Sequence, residues 1–326
     1  MATLLNLVCI SNDNALEEAL QESLAPFGNS VNLTRISPDA PNLTETLGTA
    51  DGVLCGSFPP NMRAAAQQLK WVQFWSAGVD GKLYPELFAN GIAVCTGAGI
   101  HSASAAEHVL SLMLAFARGL PQSFAAQQNR DWEARKAILD AQFELEGKTV
   151  GIVGTGVIGQ AIGKRCQGLG MKTVGTRRDP SKPTEGIDVL LSHIQYHDLI
   201  LSSDFIVLAL PLTNSTRMIF GEDEIEILRK GTYLFNIGRG DLIDPAWVYR
   251  ALKNGWLAGA GLDVFPEEPL PPDSPFWELP NCIITPHVGG NTPEYWPRFA
   301  RLVATQIERL QRNDSPTNLV SKDLGY

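Results

Sequence analysis

Cysteine is sparse and scattered: Cys9, Cys55, Cys95, Cys166 and Cys282 are odd in number and contain no Cys-x-x-Cys spacing. That excludes a disulfide framework and offers no metal site, so buried free thiols are expected. Basic residues are not in excess, since 26 Lys and Arg stand against 35 Asp and Glu and the net charge is -9. A nucleic-acid surface, which needs clustered cations, is therefore not expected. Long apolar runs are missing too. The longest, Val109 to Ala117, is far below the roughly 20 residues of a membrane span. The start, Met1-Ala2-Thr3-Leu4-Leu5, lacks the basic residues of a signal peptide and leads into a strand, so a cytoplasmic protein without a membrane partner is expected. Glycosylation triplets at Asn32-Leu33-Thr34 and Asn42-Leu43-Thr44 then have no consequence.

What is present is ample core material. With 326 residues, of which 44% are hydrophobic and 19% charged, two domains are the natural expectation, because single cores stop growing near roughly 250 to 300 residues. The stretch that organises the chain runs from Lys148 to Gly159. There a β-branched run feeds into Gly154-Thr155-Gly156-Val157-Ile158-Gly159. Gly154 permits a tight turn, Gly156 lets backbone approach a pyrophosphate, and Gly159 lets the next helix pack on the strand. The helix then turns its N-terminal amides and partial positive charge toward phosphate. By itself the pattern also fits a glycine-rich strand–helix junction that binds nothing.

Before this stretch the pattern alternates. Strands are predicted at Leu5 to Ile10, Gly52 to Cys55 and Trp71 to Ser76, and helices at Ala15 to Leu24 and Met62 to Leu69. In a parallel sheet ligands sit beyond the carboxyl ends of strands, which singles out Cys55 and the turn Ala77-Gly78-Val79, whose small residues expose backbone amides to an anion. Ser102 to Arg118 reads as a long helix with Leu110 and Leu114 on one stripe. Gly119 to Glu146, with Trp132 among polar residues, reads either as an arm for homodimer formation through the cofactor domain or as a solvated connection.

After the glycine turn, Met171 to Thr176 is a second strand ending in Arg177-Arg178-Asp179-Pro180. A carboxylate there would bind the ribose 2′-hydroxyl of NAD(H), whereas Thr176, Arg177 and Arg178 suit the 2′-phosphate of NADP(H). Asp179, just before proline, reads as a turn residue. NADP(H) is thus preferred, with NAD(H) the alternative. Strands follow at Asp204 to Leu210, Thr232 to Ile237, Ala258 to Val264 and Cys282 to Thr285, with helices at Glu222 to Leu228 and Pro245 to Lys253. Pro293 to Arg312 is another long helix, and the tail from Asn318 to Tyr326 returns to the first domain. The expected architecture is α/β: two doubly wound parallel-sheet domains, a Rossmann cofactor domain (102–286) inserted into a discontinuous flavodoxin-like domain (1–101 and 287–326), with a cleft between.

Three strand ends carry chemistry. Asn236-Ile237-Gly238-Arg239-Gly240 offers a guanidinium fork suited to a carboxylate. Gly261-Leu262-Asp263-Val264-Phe265-Pro266-Glu267-Glu268-Pro269 carries three carboxylates, and Thr285-Pro286-His287-Val288-Gly289-Gly290-Asn291-Thr292 carries a histidine, the side chain whose ordinary pKa is nearest neutrality. With the glycine turn, these motifs resemble the D-isomer-specific 2-hydroxyacid dehydrogenases, and particularly the glyoxylate and hydroxypyruvate reductases. Further matches lie at Trp75 to Asp80, Ala106-Glu107-His108, Pro211-Leu212-Thr213 and Gly325-Tyr326.

The resemblance implies that His287 is the acid and base, that Glu268 holds it charged and oriented, and that Arg239 binds the substrate carboxylate. It further gives Ala77, Gly78 and Val79 to the carboxylate, and Asp263 and Pro211 to the cofactor. The implied activity is reduction of a small 2-oxo acid. Members using NAD carry an acidic residue where Thr176-Arg177-Arg178 stands, and Glu268 argues against formate as substrate. Phosphoglycerate or phosphite dehydrogenases share the site, and a nucleotide-sensing corepressor shares the fold. No role follows for His101, which stands where asparagine is common, nor for Trp75 and Trp296.

Overall fold

The computed structural model describes residues 4–322, 324 and 325. Met1, Ala2 and Thr3, and Tyr326 of the terminal Gly-Tyr match, lie outside the described residues. In chain order the strands are β1 Leu5–Ile10, β2 Val31–Ile36, β3 Gly52–Cys55, β4 Trp71–Phe74, β5 Ala93–Cys95 and β6 Thr149–Val153. They continue with β7 Lys172–Arg177, β8 Val189–Ser192, β9 Phe205–Leu208, β10 Tyr233–Asn236, β11 Gly259–Leu262 and β12 Cys282–Ile284. The helices are α1 Asn14–Leu24, α2 Leu43–Leu47, α3 Pro60–Ala65, α4 Ser102–Ala117, α5 Leu120–Asn129 and α6 Arg135–Ala141. They end with α7 Val157–Gly168, α8 Tyr196–Ser202, α9 Glu222–Glu226, α10 Pro245–Lys253 and α11 Tyr295–Gln311. Among the described residues no single helix is long and apolar enough to cross a membrane.

The chain divides into two compact units, 1–101 with 291–326, and 102–290. The return to the first unit falls at Asn291 rather than at His287. The reason is local: His287 N–H donates to the Asp263 carbonyl, and the N–H groups of Val288 and Gly289 donate to the Asp263 carboxylate. Those bonds tie the turn to the second unit.

In the first unit the parallel sheet has the order β2-β1-β3-β4-β5, the doubly wound arrangement whose strand order reverses between β1 and β3. Helix α1 starts on Asp13, whose carboxylate accepts from the N–H groups of Ala15 and Leu16, a standard N-cap. It buries Leu16, Ala19, Leu20 and Leu24. Against that stripe packs α11, with Phe299, Ala300, Val303 and Ile307 inward. The tail does return here, since Val320 N–H donates to Val94 O and Thr96 N–H to Asn318 O.

In the second unit the order is β12-β11-β10-β9-β6-β7-β8, again all parallel. Strand β6 is buried by its Val150, Ile152 and Val153 side chains. Helix α7 turns Gly159, Ile162, Gly163 and Cys166 inward, a spacing of three to four residues that keeps one helical face on the sheet. The inward stripe of α4 is Val109, Leu112, Met113 and Phe116, whereas Leu114 is exposed, so the expected Leu110–Leu114 stripe sits about a quarter-turn off the buried face. The arm Gly119 to Glu146 folds into α5 and α6 rather than running as a plain connection.

Candidate active site

In both sheets the singled-out residues follow the carboxyl ends of strands, where open α/β sheets bind ligands. The glycine turn after β6 stands where the strand order of the second unit reverses. Gly154 has φ +97°, and a Cβ there would meet Ala209 O at 2.7 Å. A Cβ on Gly159 would come within 2.2 Å of Gly154 O, so helix and strand touch through bare backbone. Gly156, by contrast, is exposed and would meet nothing within 4 Å. It is the N-cap of α7, and no side chain caps that helix. First-turn amides left uncapped beside open backbone fit a dinucleotide pyrophosphate.

Thr155 and Thr176 are buried, joined by Thr155 N–H and Oγ1–H donating to Thr176 O. The Thr155 hydroxyl therefore serves the fold, and Thr176, only 3% exposed, offers no side chain to a phosphate. Arg177 closes β7 and donates to Pro183 O and Thr184 Oγ1, while Arg178 is exposed. Asp179 accepts from Ser181 N–H and Oγ–H, bonds that hold its carboxyl below the usual range. It is a turn residue, as its position before proline suggests. Val157 and Pro211 are exposed and Ile158 half-buried.

Arg239 follows β10. The Asn236 side chain shapes its turn, donating to Arg239 O and accepting from Gly238 N–H. Arg239 itself donates to Gly238 O. Gly240 lies against the Phe265–Pro266 backbone so closely that a Cβ would reach 1.9 Å from Phe265 C. The arginine turn thus packs on the glutamate turn. There Glu268 Oε1 accepts from Phe265 N–H at 2.9 Å, and Oε2 stands 2.7 Å from His287 Nδ1. Both side chains are partly open, 36% and 50% exposed. With Nδ1–H donated to Glu268, the imidazole presents Nε2 outward.

His287 has φ +53°, a region that residues with side chains rarely adopt. The turn that holds it is built on Asp263, only 3% exposed. Burial pushes this carboxyl up, but hydrogen bonds from His108, Thr285 and the Gly289 and Val288 N–H groups outweigh that and keep it below its ordinary range. His108 and Thr285 were given no role by the sequence, although both lie inside the quoted motifs.

Several expected ligands move into the core. Cys55, the last residue of β3, is fully buried, its thiol pushed up by burial, so its side chain is a packing group and not a substrate contact. Val79 is buried likewise and has only its backbone to offer. Among the described residues the N–H groups of Ala77, Gly78 and Val79 have no protein acceptor, which suits an anion. Trp75 packs edge-on against Trp296 and Phe299, Trp296 Nε1–H donates to Asp13, and Tyr295 O–H donates to Trp75 O. His101 stacks on Tyr295 with centroids 4.9 Å apart. The four cysteines Cys9, Cys95, Cys166 and Cys282 have thiols pushed up to about 12 by burial.

A Rossmann sheet with an open glycine turn, and with Arg239, Glu268 and His287 on neighbouring turns beyond its strands, defines an NAD(P)-dependent oxidoreductase. Comparison with known proteins gives the family. Residues 110–289 match the profile described as D-isomer specific 2-hydroxyacid dehydrogenase, NAD binding domain, and the chain belongs to that family. It is similar to a glyoxylate reductase of Thermococcus litoralis, 35% identical over 263 residues and 79% of each chain. It is also 37% identical to a D-3-phosphoglycerate dehydrogenase of Methanocaldococcus jannaschii over 78% of this chain but 48% of that one. Among solved structures, an NADPH-dependent glyoxylate/hydroxypyruvate reductase of Sinorhizobium meliloti, in complex with NADP and sulfate, superposes with a TM-score of 0.81 at 27% identity, covering 99% of this chain and all of that one.

Proposed function

We propose that this enzyme reduces a small 2-oxo acid, glyoxylate or hydroxypyruvate, to the D-2-hydroxy acid, with NADPH preferred and His287 as the acid–base group. The observation that carries the reading is the 2.7 Å contact between His287 Nδ1 and Glu268 Oε2. When bound, the nicotinamide supplies a hydride to C2 of the oxo acid. Negative charge then builds on the carbonyl oxygen, and the His287 imidazolium neutralises it by giving up the Nε2 proton. Glu268 stabilises that imidazolium and fixes the ring. In the oxidative direction the neutral Nε2 takes the hydroxyl proton back. The Arg239 fork matches the carboxylate adjoining C2, and we assign the Ala77, Gly78 and Val79 amides to the same group.

NADPH preference is supported by two guanidinium groups where an NAD enzyme has a carboxylate, and by Asp179 being engaged with Ser181. The similar Sinorhizobium enzyme is itself NADPH-dependent. The test is an initial-rate panel of 2-oxo acids with both nucleotides. His287→Ala should cut reduction to a small but measurable residual rate while leaving NADPH affinity nearly intact, and unchanged turnover would remove His287 from the chemistry. Arg177→Ala/Arg178→Ala should lower the NADPH:NADH ratio of kcat/KM by roughly 10-fold or more; an unchanged ratio would refute the phosphate assignment. A second reading, oxidation of D-3-phosphoglycerate, is favoured by the 37% identity to that dehydrogenase, and the same panel run in reverse decides it.

We also infer a homodimer through the arm. Phe124 and Trp132 are 59% and 83% exposed, and Trp132 lines a groove of about 590 Å³ with Ile138 and Leu139. So much apolar surface calls for a partner surface, and a second copy supplies one. Light scattering on Trp132→Glu should report monomers; an unchanged mass would refute the arm's role.

A further inference from the structure

The acid–base histidine sits on a turn that would not hold its conformation unaided, because φ +53° is unfavourable for any residue bearing a Cβ. Three backbone amides anchor that turn to one residue. His287 N–H donates to Asp263 O at 2.9 Å, Val288 N–H to Asp263 Oδ1 at 3.0 Å, and Gly289 N–H to Asp263 Oδ2 at 3.0 Å. The orientation of the imidazole is therefore only as fixed as the Asp263 carboxylate.

What fixes the carboxylate is a side-chain relay from another element. Thr285 Oγ1–H donates to Asp263 Oδ1 at 2.6 Å. Having spent its hydrogen there, Thr285 Oγ1 can only accept from His108 Nε2, 2.9 Å away, and this assigns the tautomer: Nε2 carries the proton. The same nitrogen lies 3.4 Å from Asp263 Oδ1. His108 belongs to α4, whose Ala105, Ala106 and Val109 are buried on either side of it, so the ring projects from a rigid support. Gly289 gives an independent sign of the same packing. A Cβ there would approach both Asp263 Oδ2 and His108 Cδ2 to 2.9 Å, so the turn must pass against the His108 ring without a side chain.

We propose that His108 is a positioning residue of this enzyme: through Thr285 and Asp263 it locks the turn His287–Gly289 and thereby aims the acid–base imidazole. The proposal rests on the reading of His287 as the acid–base group. It gives the buried aspartate a first task different from the cofactor contact that resemblance implies, since both of its oxygens are engaged by the turn and the relay.

The test compares His108→Leu, His108→Gln and His108→Asn in the wild-type and His287→Ala backgrounds, with glyoxylate and NADPH. The Gln amide nitrogen reaches as far as imidazole Nε2, whereas the Asn nitrogen reaches only as far as Nδ1. His108→Leu and His108→Asn should each lower kcat about 10- to 100-fold, with NADPH affinity, read by fluorescence titration, within about twofold. His108→Gln should restore kcat to within about threefold. In the His287→Ala background none of the three should lower the residual rate further, because a group that acts through His287 has nothing left to aim. Thr285→Val, nearly isosteric but without the hydroxyl, should repeat the kcat loss and serves if His108→Leu does not fold. Three outcomes overturn the proposal. Wild-type kcat in His108→Leu or Thr285→Val, with His287→Ala at its small residual rate, removes the positioning role alone. Equal losses in both backgrounds, or a parallel loss of NADPH affinity, reduce His108 to a structural residue. Full activity of His287→Ala overturns the acid–base reading as well.

Discussion

Two glycines three residues apart, Gly156 at the N-cap of α7 and Gly159 in its first turn, should fail in opposite ways. Gly156 has φ −72° and ψ −165°, backbone that any residue adopts, and an added methyl would meet nothing within 4 Å. Gly156→Ala should therefore leave stability unchanged or raise it by about 0.4–1 kcal/mol through a stiffer unfolded chain. The same methyl would stand in front of the uncapped amides of α7, where a pyrophosphate must approach. NADPH binding should weaken roughly 10- to 100-fold, about 1.4–2.7 kcal/mol. Gly159→Ala reverses the pattern. Its Cβ would lie 2.2 Å from Gly154 O, where ordinary contact begins near 3.4 Å, so α7 must withdraw by more than 1 Å or the turn must deform. Overpacking on that scale costs about 1–3 kcal/mol. Urea unfolding in the absence of nucleotide, paired with fluorescence titration of NADPH, separates the two effects. If Gly156→Ala bound NADPH like wild type, the phosphate would not lie on α7; if Gly159→Ala unfolded at the wild-type urea concentration, close helix–strand contact would not be what that glycine provides.

Other consequences can be measured on the same preparations. Glu268→Gln keeps an acceptor for His287 Nδ1–H but removes its charge; the loss of a charge-assisted bond, about 1–2 kcal/mol, should lower kcat roughly 5- to 30-fold, and an unchanged kcat would show that the contact only orients the ring. Asp263 titrates below the ordinary carboxyl range when folded. Its contribution to stability is thus complete above the unfolded-state pKa, about 3.9, and is lost as pH falls through the lower folded-state value. The wild-type urea midpoint should accordingly fall more steeply below about pH 4 than that of Asp263→Asn, and parallel curves would refute this. Gly289→Ala, whose Cβ would crowd Asp263 and His108, should lower kcat with little change in NADPH affinity, as steady-state kinetics and titration would show.

Local chemistry was enough for the sequence to specify most of the second unit. Proline and aspartate at the start of α10, glycines around α7 and buried β-branched runs at β6 and β9 act within a few residues of themselves, so the pattern survives in one dimension. The strands it did not disclose, β2, β5 and β8, all lie at sheet edges; β2 interrupts its apolar residues with Asn32, Thr34 and Arg35, and β5 and β8 offer only three and four residues of pattern. Spacing and strand ends likewise brought Arg239, Glu268 and His287 to notice. The 2.7 Å pairing of the last two, the turning of Cys55, Thr155 and Thr176 into the interior, and the relay from His108 to Asp263 belong to tertiary structure alone. Each depends on side chains from segments far apart in sequence, 155 residues in the case of His108 and Asp263, and on which face of a strand or helix they occupy. No local propensity encodes that distance; packing of α4 on the sheet decides it.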